Sequence, residues 1–361
     1  MVEHNRSEAD DWYADVIATP GHQSGTEQPR TRLKLLADLL PELQARLLSG
    51  EPPVEWTPED KPWGTLSFEP KSVVAFGAAS GKGKTSLGLY LLCKMLVRYP
   101  DLRVVVASND MSTEKMRERV FSMCSRISYR AIRKCDRSAY AAEDVCRAMN
   151  DISQFSSRIA ILPRPFTVEE VQAEAVEFNA SIVFLDHLQV SSVGTSSRDT
   201  QQQIARVMRA SRALADSGPC VITTVALSRQ GISYAQKRAG KTDVNDMDAG
   251  VFLHASEIEY ETDMAYLLLS EAGAQVATSP DDDGEPEPMW LHCVKGRDAT
   301  KTHVPLLFDG RTQSFSLREV DKSPQSKKGG ARSRKIAKAD TPKGKSTGNA
   351  TIENGETEWL S

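Results

Sequence analysis

Val73-Val74-Ala75-Phe76 runs directly into Gly77-Ala78-Ala79-Ser80-Gly81-Lys82-Gly83-Lys84-Thr85, and Ser86-Leu87-Gly88-Leu89-Tyr90 follows. The opening residues are apolar, which favours a buried strand, and the Gly-rich centre favours a tight loop. A bound phosphate group is wrapped by backbone N–H groups, so it requires small residues where the main chain approaches and a helix N-terminus behind them. The stretch therefore predicts a strand, a phosphate-binding loop and a helix.

The end of this loop carries the side chains expected to bind a nucleotide. We expect Lys84 to reach the β- and γ-phosphates of ATP and the Thr85 hydroxyl to bind Mg²⁺. The motif is the looser form, because Ala78 stands where the strict pattern has Gly. A surface Gly/Lys loop is the alternative, and the strand before and the helix after it argue against that. The predicted nucleotide-binding residues of the loop are Ala78, Ala79, Ser80, Gly81, Lys82, Gly83, Lys84, Thr85 and Ser86.

Composition limits the class of protein. The 361 residues, 40% of them hydrophobic, are enough to bury one substantial core with appendages. The 45 basic and 49 acidic residues give no global basic field, so affinity for nucleic acid would come from local patches. The six cysteines lack a Cys-x-x-Cys spacing, which argues against zinc and against a disulfide framework. Without a signal peptide or an apolar run of membrane-spanning length, the chain is expected to be soluble and cytoplasmic.

Short Val/Ile/Leu runs alternate with amphipathic segments between Leu66 and Phe315. This alternation is typical of βαβ units, so we predict an α/β fold with a mostly parallel, twisted sheet flanked by helices. The predicted strands are Ser72–Phe76, Arg103–Ala107, Arg158–Leu162, Ile182–Asp186, Val221–Ala226, Met264–Leu269, Trp290–Lys295 and Val304–Phe308. The predicted helices are Thr85–Val97, Thr113–Ile127, Ala141–Met149, Val168–Phe178 and Thr200–Ala215.

The flanking segments predict the domain boundaries. Residues 1–30 are polar and acidic and indicate a disordered arm, and residues 319–361 indicate a disordered basic tail with an acidic tip. Residues 31–63 are predicted to be a linker helix and a Pro-rich connector, which leaves residues 64–318 as the main domain. One stripe of the linker helix carries Leu33, Leu36, Leu40, Leu43 and Leu47. Packing of this stripe on its own domain and docking on a neighbouring subunit both stay open.

Two further strands lead to carboxylates. The apolar run Ile182–Asp186 places Asp186 at the rim of the sheet, where it can hold Mg²⁺ through a water while Thr85 binds the ion directly. The run Arg103–Ala107 leads to Asp110, which can polarise an attacking water as the catalytic base. The alternative is that Asp110 or Ser112 only caps the helix that follows.

Four segments, in this order, resemble the ATPase domain of DnaB-like replicative helicases within the RecA superfamily. Ala78–Thr85 is similar to that family's loop, and Ser108-Asn109-Asp110-Met111-Ser112 is similar to its Ser-Leu-Glu-Met-Ser segment. Asp186-His187-Leu188-Gln189 resembles its Asp-Tyr-Leu-Gln, and Val294-Lys295-Gly296-Arg297-Asp298 resembles its Lys-x-Arg segment. The likeness covers about residues 64 to 318 and implies a RecA-like P-loop core.

The resemblance implies a homo-oligomer, a hexameric ring with ATP at the subunit interfaces. Lys295 and Arg297 would then reach into the neighbour's site and stabilise charge on the γ-phosphate. Without the resemblance, they would be ordinary exposed charges on an edge strand. The family has a Ser-Gln sensor of the γ-phosphate where this chain has Ser228-Arg229-Gln230. Because the Gln is displaced by one position, either Arg229 or Gln230 can serve.

The resemblance also implies that single-stranded DNA is bound through its backbone inside the ring. The candidates are two segments expected to be irregular loops, Ser191–Gln201, with Arg198, and Gly231–Leu253, with Lys237, Arg238 and Lys241. The chain departs from the family where His254 and Glu257 occupy its Arg and Gly positions. The added negative charge is unfavourable beside a phosphate backbone.

The C-terminal tail leaves its interpretations open. Lys322–Lys345 is cationic and either binds nucleic acid without sequence preference or only keeps the chain soluble. The acidic tip Glu353–Ser361 carries Trp359 and is either a docking peptide for a replication or mobile-element protein or ordinary terminal disorder.

These patterns together favour an ATP-hydrolysing DNA helicase motor. The resemblance begins at about residue 64, and the residues before it are too few for the globular N-terminal domain of full-length bacterial replicative helicases. A motor core with short extensions is therefore expected. A RecA-type regulatory or recombination ATPase is the alternative from another class. A helicase-associated loader with slow hydrolysis is a third interpretation, because Asp110 stands in place of the family's Glu.

Overall fold

The computed structural model describes residues 35–59, 63, 66–187, 200–238, 249–252, 255–271, 285–296 and 303–319. The chain divides into two compact units, Met1–Pro53 and Val54–Ser361. In the first unit, helix α1 (Leu36–Ser49) includes Pro41 and ends at Gly50, whose φ of 70° is favourable for glycine. The exposed leucines of α1 include Leu36, Leu39, Leu40, Leu43 and Leu47.

The second unit contains a mixed sheet. Its strands are β1 (Val73–Ala78), β2 (Val104–Ser108), β3 (Ile159–Leu162), β4 (Ile182–Asp186), β5 (Cys220–Ala226), β6 (Met264–Ser270), β7 (Glu287–Gly296), β8 (His303–Asp309) and β9 (Ser314–Leu317). The strand order is β3-β2-β4-β5-β1-β6-β7-β8-β9. Pairing is parallel from β3 to β6 and antiparallel from β6 to β9. The predicted fold class, a mostly parallel sheet flanked by helices, is confirmed.

The parallel strands consist of apolar runs because helices cover both faces of the sheet. The helices are α2 (Lys84–Arg98), α3 (Thr113–Ser125), α4 (Tyr129–Lys134), α5 (Ala142–Ser153), α6 (Val168–Glu177), α7 (Thr200–Asp216), α8 (Arg229–Arg238) and α9 (Ala255–Glu261). Residues of α2 and α3 share one core cluster with Phe184, and residues of α6 and α7 share the other with Val183. Neighbours along β4 thus face opposite layers, as the two-residue period of a strand requires.

Close packing of α2 on the sheet depends on Gly88. A Cβ atom at this position would lie 2.4 Å from the ring of Phe184, a separation that real Cβ atoms do not adopt. Glycine therefore lets the helix after the phosphate-binding loop lie directly on β4, the strand that ends in Asp186. This contact fixes the loop relative to the carboxylate.

The register brings the carboxyl ends of four parallel strands to one edge. Ala78 of β1 pairs with Ala226 of β5, and Ser108 of β2 pairs with Asp186 of β4. Ligands of open α/β sheets bind outside this edge. The predicted site residues that follow these strands therefore lie near one another.

All eight predicted strands and the five helices predicted for the main domain are present, with bounds that differ by a few residues, and α1 lies in the segment predicted to hold the linker helix. Strand β9 and helices α4, α8 and α9 were not predicted. The expectation of an irregular loop from Gly231 to Leu253 is wrong for its first part, because Gly231–Arg238 belongs to α8. Ser228 caps this helix by accepting a 2.8 Å hydrogen bond from the Gly231 N–H. Arg198 and Lys241 lie outside the described residues.

Among the described residues, no helix combines the length and the apolar character needed to cross a membrane.

Candidate nucleotide site

The phosphate-binding loop connects β1 to α2. Gly81 and Gly83 have φ angles of 74° and 79°, in the left-handed region that glycine adopts without a steric cost. The carbonyl of Gly83 accepts a 2.7 Å hydrogen bond from the Leu87 N–H, the start of the helical ladder. The helix thus begins where the loop ends, and its N-terminus points at the cradle.

Lys84 folds back over this loop. Its Nζ donates hydrogen bonds to the carbonyl oxygens of Ala78 at 3.0 Å and Ala79 at 3.3 Å. Burial lowers the pKa of Lys84, and the nearby carboxylates of Asp186 and Asp110 oppose that shift. A phosphate group arriving in the cradle would favour the charged ammonium further, so binding of the anion and protonation of Lys84 support each other.

Asp186 is held by several hydrogen bonds at this edge. It is buried, with 1% of its surface exposed. Its Oδ1 accepts hydrogen bonds from the hydroxyls of Thr85 at 2.9 Å and Thr224 at 2.6 Å, and its Oδ2 accepts one from Ser108 at 3.1 Å. Three hydroxyl donors fix both oxygens, which compensates the burial of the carboxylate.

Two of these donors, Thr224 and Ser108, were not predicted as site residues. Thr224 lies on β5 and Ser108 on β2, the strands on either side of β4. Hydroxyl residues near the ends of adjacent apolar strands are the signal that could have found them. That signal becomes specific only when the strand order is known.

The donor set fits Mg²⁺. Magnesium prefers oxygen ligands and keeps several waters, so a site on a protein needs only one or two oxygen side chains beside the phosphates. The Thr85 hydroxyl and the Asp186 carboxylate lie in hydrogen-bond contact and supply such oxygens.

Asp110 follows β2 at the same edge and is exposed. Its charge acts on both Lys84 and His187, so the carboxylate lies near the loop. The N-cap of α3 is Ser112, which makes no side-chain capping hydrogen bond, and Asp110 precedes the cap. Ser112 therefore occupies the predicted cap position without a capping hydrogen bond, and Asp110 does not cap the helix.

His187 adds an imidazole that sequence reasoning did not assign to the site. Burial and the neighbouring Lys84 cation lower its pKa, and Asp186 and Asp110 act in the opposite direction. Asp186 and Asp110 thus lie close enough to influence both basic groups. The histidine is consequently neutral at physiological pH.

The predicted sensor residues lie at the same edge. Arg229 and Gln230 are exposed at the start of α8, shortly after β5 ends at Ala226. Because Ala226 pairs with Ala78, this segment follows the strand beside the loop. Their contact with a γ-phosphate stays a prediction.

Other loop residues differ in their surroundings. Ser80 and Gly81 are exposed, whereas Lys82 is buried and forms an ion pair with Glu287. The Ser86 hydroxyl is also buried and donates a 2.7 Å hydrogen bond to Gln313 Oε1. Lys82 and Ser86 therefore direct their side chains to protein groups.

Lys295 is not brought to this edge. It pairs with Ala265 of β6, which pairs in turn with Ala75 of β1, three positions before Ala78. Because β7 is antiparallel to β6, the chain leaves β7 at Gly296 on the edge opposite the loop. The Lys295 ammonium donates to the carbonyl oxygens of Glu259 and Thr262, at the C-terminal end of α9, where helix carbonyls lack partners. Arg297 lies outside the described residues.

Comparison with known proteins agrees with this geometry. The model of the DnaB-like helicase C-terminal domain matches residues 64–317. The chain belongs to this family. The resemblance predicted from four short segments is thus confirmed for the DnaB-like domain as a whole.

Curated relatives of the DnaB-like domain include replicative DNA helicases DnaB from two strains of Helicobacter pylori. They are 25% identical over 187 residues and 24% identical over 189 residues. Each alignment covers 50% of this chain and 38% of the relative, so the chain aligns with well under half of their length.

Two solved structures share the fold. A DnaB-like replicative helicase, described with its primase interactions, has a TM-score of 0.61 and 19% identity, covering 82% of this chain and 69% of the other. The second structure, described as an ATPase domain, has a TM-score of 0.61 and 17% identity, covering 79% of this chain and 99% of the other. At these identities the likeness establishes the fold of the DnaB-like domain.

Proposed function

We propose that this DnaB-like chain binds and hydrolyses ATP with Mg²⁺ and uses the energy to move along single-stranded DNA as a ring-shaped helicase. The observation that carries the proposal is the contact of Thr85 with the buried carboxylate of Asp186 beside the phosphate-binding loop. This pair is the arrangement that a P-loop NTPase uses to hold the cation of its nucleotide.

The side chains divide the chemistry between them. Lys84 neutralises charge on the β- and γ-phosphates, and Thr85 with Asp186 holds the cation, which lowers the barrier by neutralising developing phosphate charge. Asp110 orients the attacking water and accepts its proton. Arg229 or Gln230 contacts the γ-phosphate and distinguishes ATP from ADP.

The site needs a second copy of the chain. In the sheet register Lys295 and Gly296 lie toward the edge opposite Lys84, away from their own loop. We propose that Arg297, with Lys295, completes the site of a neighbouring subunit in a hexamer. The exposed leucines of α1 supply an apolar surface for the same assembly.

Single-stranded DNA is the proposed track. Lys237 is exposed on α8, within one of the two segments predicted to contact the phosphate backbone. The other segment, Ser191–Gln201, lies largely outside the described residues. Contacts of this kind are electrostatic and tolerate any sequence, as a translocating motor requires.

The test combines ATP hydrolysis with fork unwinding on the full chain. Hydrolysis that rises with single-stranded DNA, together with ATP-dependent opening of a forked duplex, supports the motor. Hydrolysis that ignores DNA, with no unwinding, supports the regulatory or recombination ATPase instead. That second function is favoured by Glu257 and Glu259, which place acidic residues on α9 near a segment expected to approach DNA.

A further inference from the structure

Lys82 and Glu287 form an ion pair that joins the phosphate-binding loop to the antiparallel part of the sheet. The Lys82 Nζ lies 2.7 Å from Glu287 Oε1, and the two side chains are 6% and 19% exposed. Ser270, at the end of β6, also donates a hydrogen bond to Glu287 Oε1. Glu287 is the first residue of β7 and lies 205 positions after Lys82 in the sequence.

Two more contacts attach the same stretch of the loop to the same part of the sheet. A Cβ atom on Gly83 would lie 3.1 Å from the ring of Phe308 and 3.2 Å from that of Phe315, so the loop backbone lies against these stacked rings. In the first turn of α2, Ser86 donates its hydrogen bond to Gln313. Residues 82 and 83 of the loop and residue 86 of α2 are thus all attached to β7, β8, β9 or the turn between the last two.

The ion pair is the one polar attachment on the loop itself among these three. Lys82 lies between Gly81 and Gly83, both in the left-handed region, so its neighbours contribute no side chains that could hold the backbone. The N–H groups of this stretch are those that must converge on a phosphate. When a buried ion pair is separated, each charge is left unpaired in a poorly solvated environment. The pair therefore strongly favours one position of the loop.

We propose that Glu287 is a positioning residue for nucleotide binding, which acts through Lys82 to hold the loop backbone in its phosphate-accepting shape. The proposal rests on the proposed ATP binding and assigns Lys82 an anchoring role instead of direct phosphate contact. The side chain of Lys82 is directed to Glu287, while Lys84 supplies the ammonium of the cradle.

For neutralisation of Glu287, this role predicts a change in ATP affinity opposite to the change that simple electrostatics predicts. A carboxylate near a phosphate site repels the anion, so its neutralisation alone should tighten ATP binding. If Glu287 acts by holding the loop, Glu287→Gln should instead weaken binding, because the loop loses its anchor.

Isothermal titration of the full chain with ATP and Mg²⁺ measures this. Glu287→Gln and Lys82→Met should each raise the Kd about tenfold, a change of about 1.4 kcal/mol. The double variant should lose no more than either single variant, because both act on one interaction. Glu287→Asp keeps the charge and should recover part of the affinity. Thermal unfolding without nucleotide accompanies each titration, so that loss of the fold is distinguished from loss of binding.

Glu59→Gln is the matched control. It breaks the ion pair of Glu59 with Lys94, which attaches the far part of α2 to the segment before the sheet. Its ATP affinity should equal that of the wild type.

An unchanged or lower Kd in Glu287→Gln overturns the proposal, as do single-variant losses that multiply in the double variant. If Glu287→Gln does not fold, Glu287→Asp and the double variant carry the same decision. A wild-type chain that binds no ATP overturns the proposed function itself, which is a different result from wild-type binding with insensitive variants.

Discussion

The parallel and antiparallel parts of the sheet differ in the edges to which they bring their side chains. From β3 to β6 every strand points the same way, so the residues at the strand ends converge on one edge. From β7 to β9 the direction alternates, so the same strands deliver side chains to both edges. Glu287 at one end of β7 supports the loop, and Lys295 near the other end contacts α9.

This difference supports the proposal that one chain serves two nucleotide sites. A purely parallel sheet gathers chemistry at one edge and leaves the other for connections. The antiparallel part adds a strand that begins beside its own phosphate-binding loop and ends on the opposite side. Such a strand suits the proposed ring of identical subunits, in which each subunit would bind a nucleotide and complete its neighbour's site.

Arg297→Ala tests this division most severely. In the proposed ring the residue stabilises transition-state charge from the adjacent subunit, so kcat for ATP hydrolysis should fall about 10³-fold. ATP affinity should change far less, because the contact forms mainly in the transition state. The measurement is steady-state hydrolysis with single-stranded DNA present. A kcat within threefold of the wild type would show that Arg297 does not stabilise the transition state.

Lys84→Ala removes the ammonium group at the edge of the sheet that carries the phosphate-binding loop. Hydrolysis should fall about 10²-fold to 10³-fold, because the phosphates lose their main cationic side chain. Lys115→Ala, at an exposed position of α3, is the control and should leave the rate unchanged. Mixing Lys84→Ala with Arg297→Ala should recover part of the activity. At some interfaces the intact Lys84 of one variant then meets the intact Arg297 of the other. Mixtures as inactive as the separate variants would contradict completion between subunits.

Thr224→Val tests the support of the carboxylate within the parallel part. The substitution preserves shape but removes one of the two hydrogen bonds on Asp186 Oδ1. A bond to a charged acceptor contributes about 1.5–3 kcal/mol, and Thr85 and Ser108 still hold the carboxylate, so we expect about a tenfold loss of kcat. A higher Mg²⁺ requirement should accompany it, measured by titrating the metal at saturating ATP. Thr312→Val, in the turn before β9, is the comparison outside the carboxylate cluster.

The smallest expected effect concerns the stability of the antiparallel part. Burial, and then the neighbouring His303, lowers the pKa of His292 to about 3. Below pH 6.5 the unfolded chain therefore binds a proton that the folded chain does not, so stability falls as pH decreases. Between pH 7 and 5.5 this one group should cost about 1 kcal/mol.

His292→Phe should remove that part of the pH dependence while keeping a ring beside Trp290. Urea unfolding at pH 7.5 provides the internal reference, since the histidine is neutral there in both states. A slope that remains from His187, whose pKa is also lowered, is expected. Identical pH slopes in wild type and variant would show that His292 does not contribute.

Local sequence was enough to predict the parallel part of the sheet. Runs such as Val73–Phe76 and Ile182–Asp186 are apolar because both faces of their strands are covered, and that pattern can be read directly. The loop, Asp186 and Asp110 follow such runs and could therefore be placed at one edge before the structure was known. Their catalytic roles stay predictions.

The supporting contacts could not be predicted in this way. Glu287 stands in the acidic, Pro-containing stretch 281–288, which has the composition of a solvated loop. Only the strand order brings it to Lys82, 205 positions earlier. Strand β9 is four residues long, and α8 is polar with Gly231 near its start, so neither shows a clear period. The leucines of the linker could be assigned to one helical stripe, but what they bind stays a prediction.

The hydroxyl of Thr85 has a further consequence for the order of events at the loop. Its proton already points at Asp186, so its oxygen lone pairs are turned away from that carboxylate. In the proposed site, the Thr85 oxygen would therefore be oriented to accept a cation without bond rotation or proton loss of the threonine. Thr85 and Asp186 would then hold the cation without rearrangement of the protein.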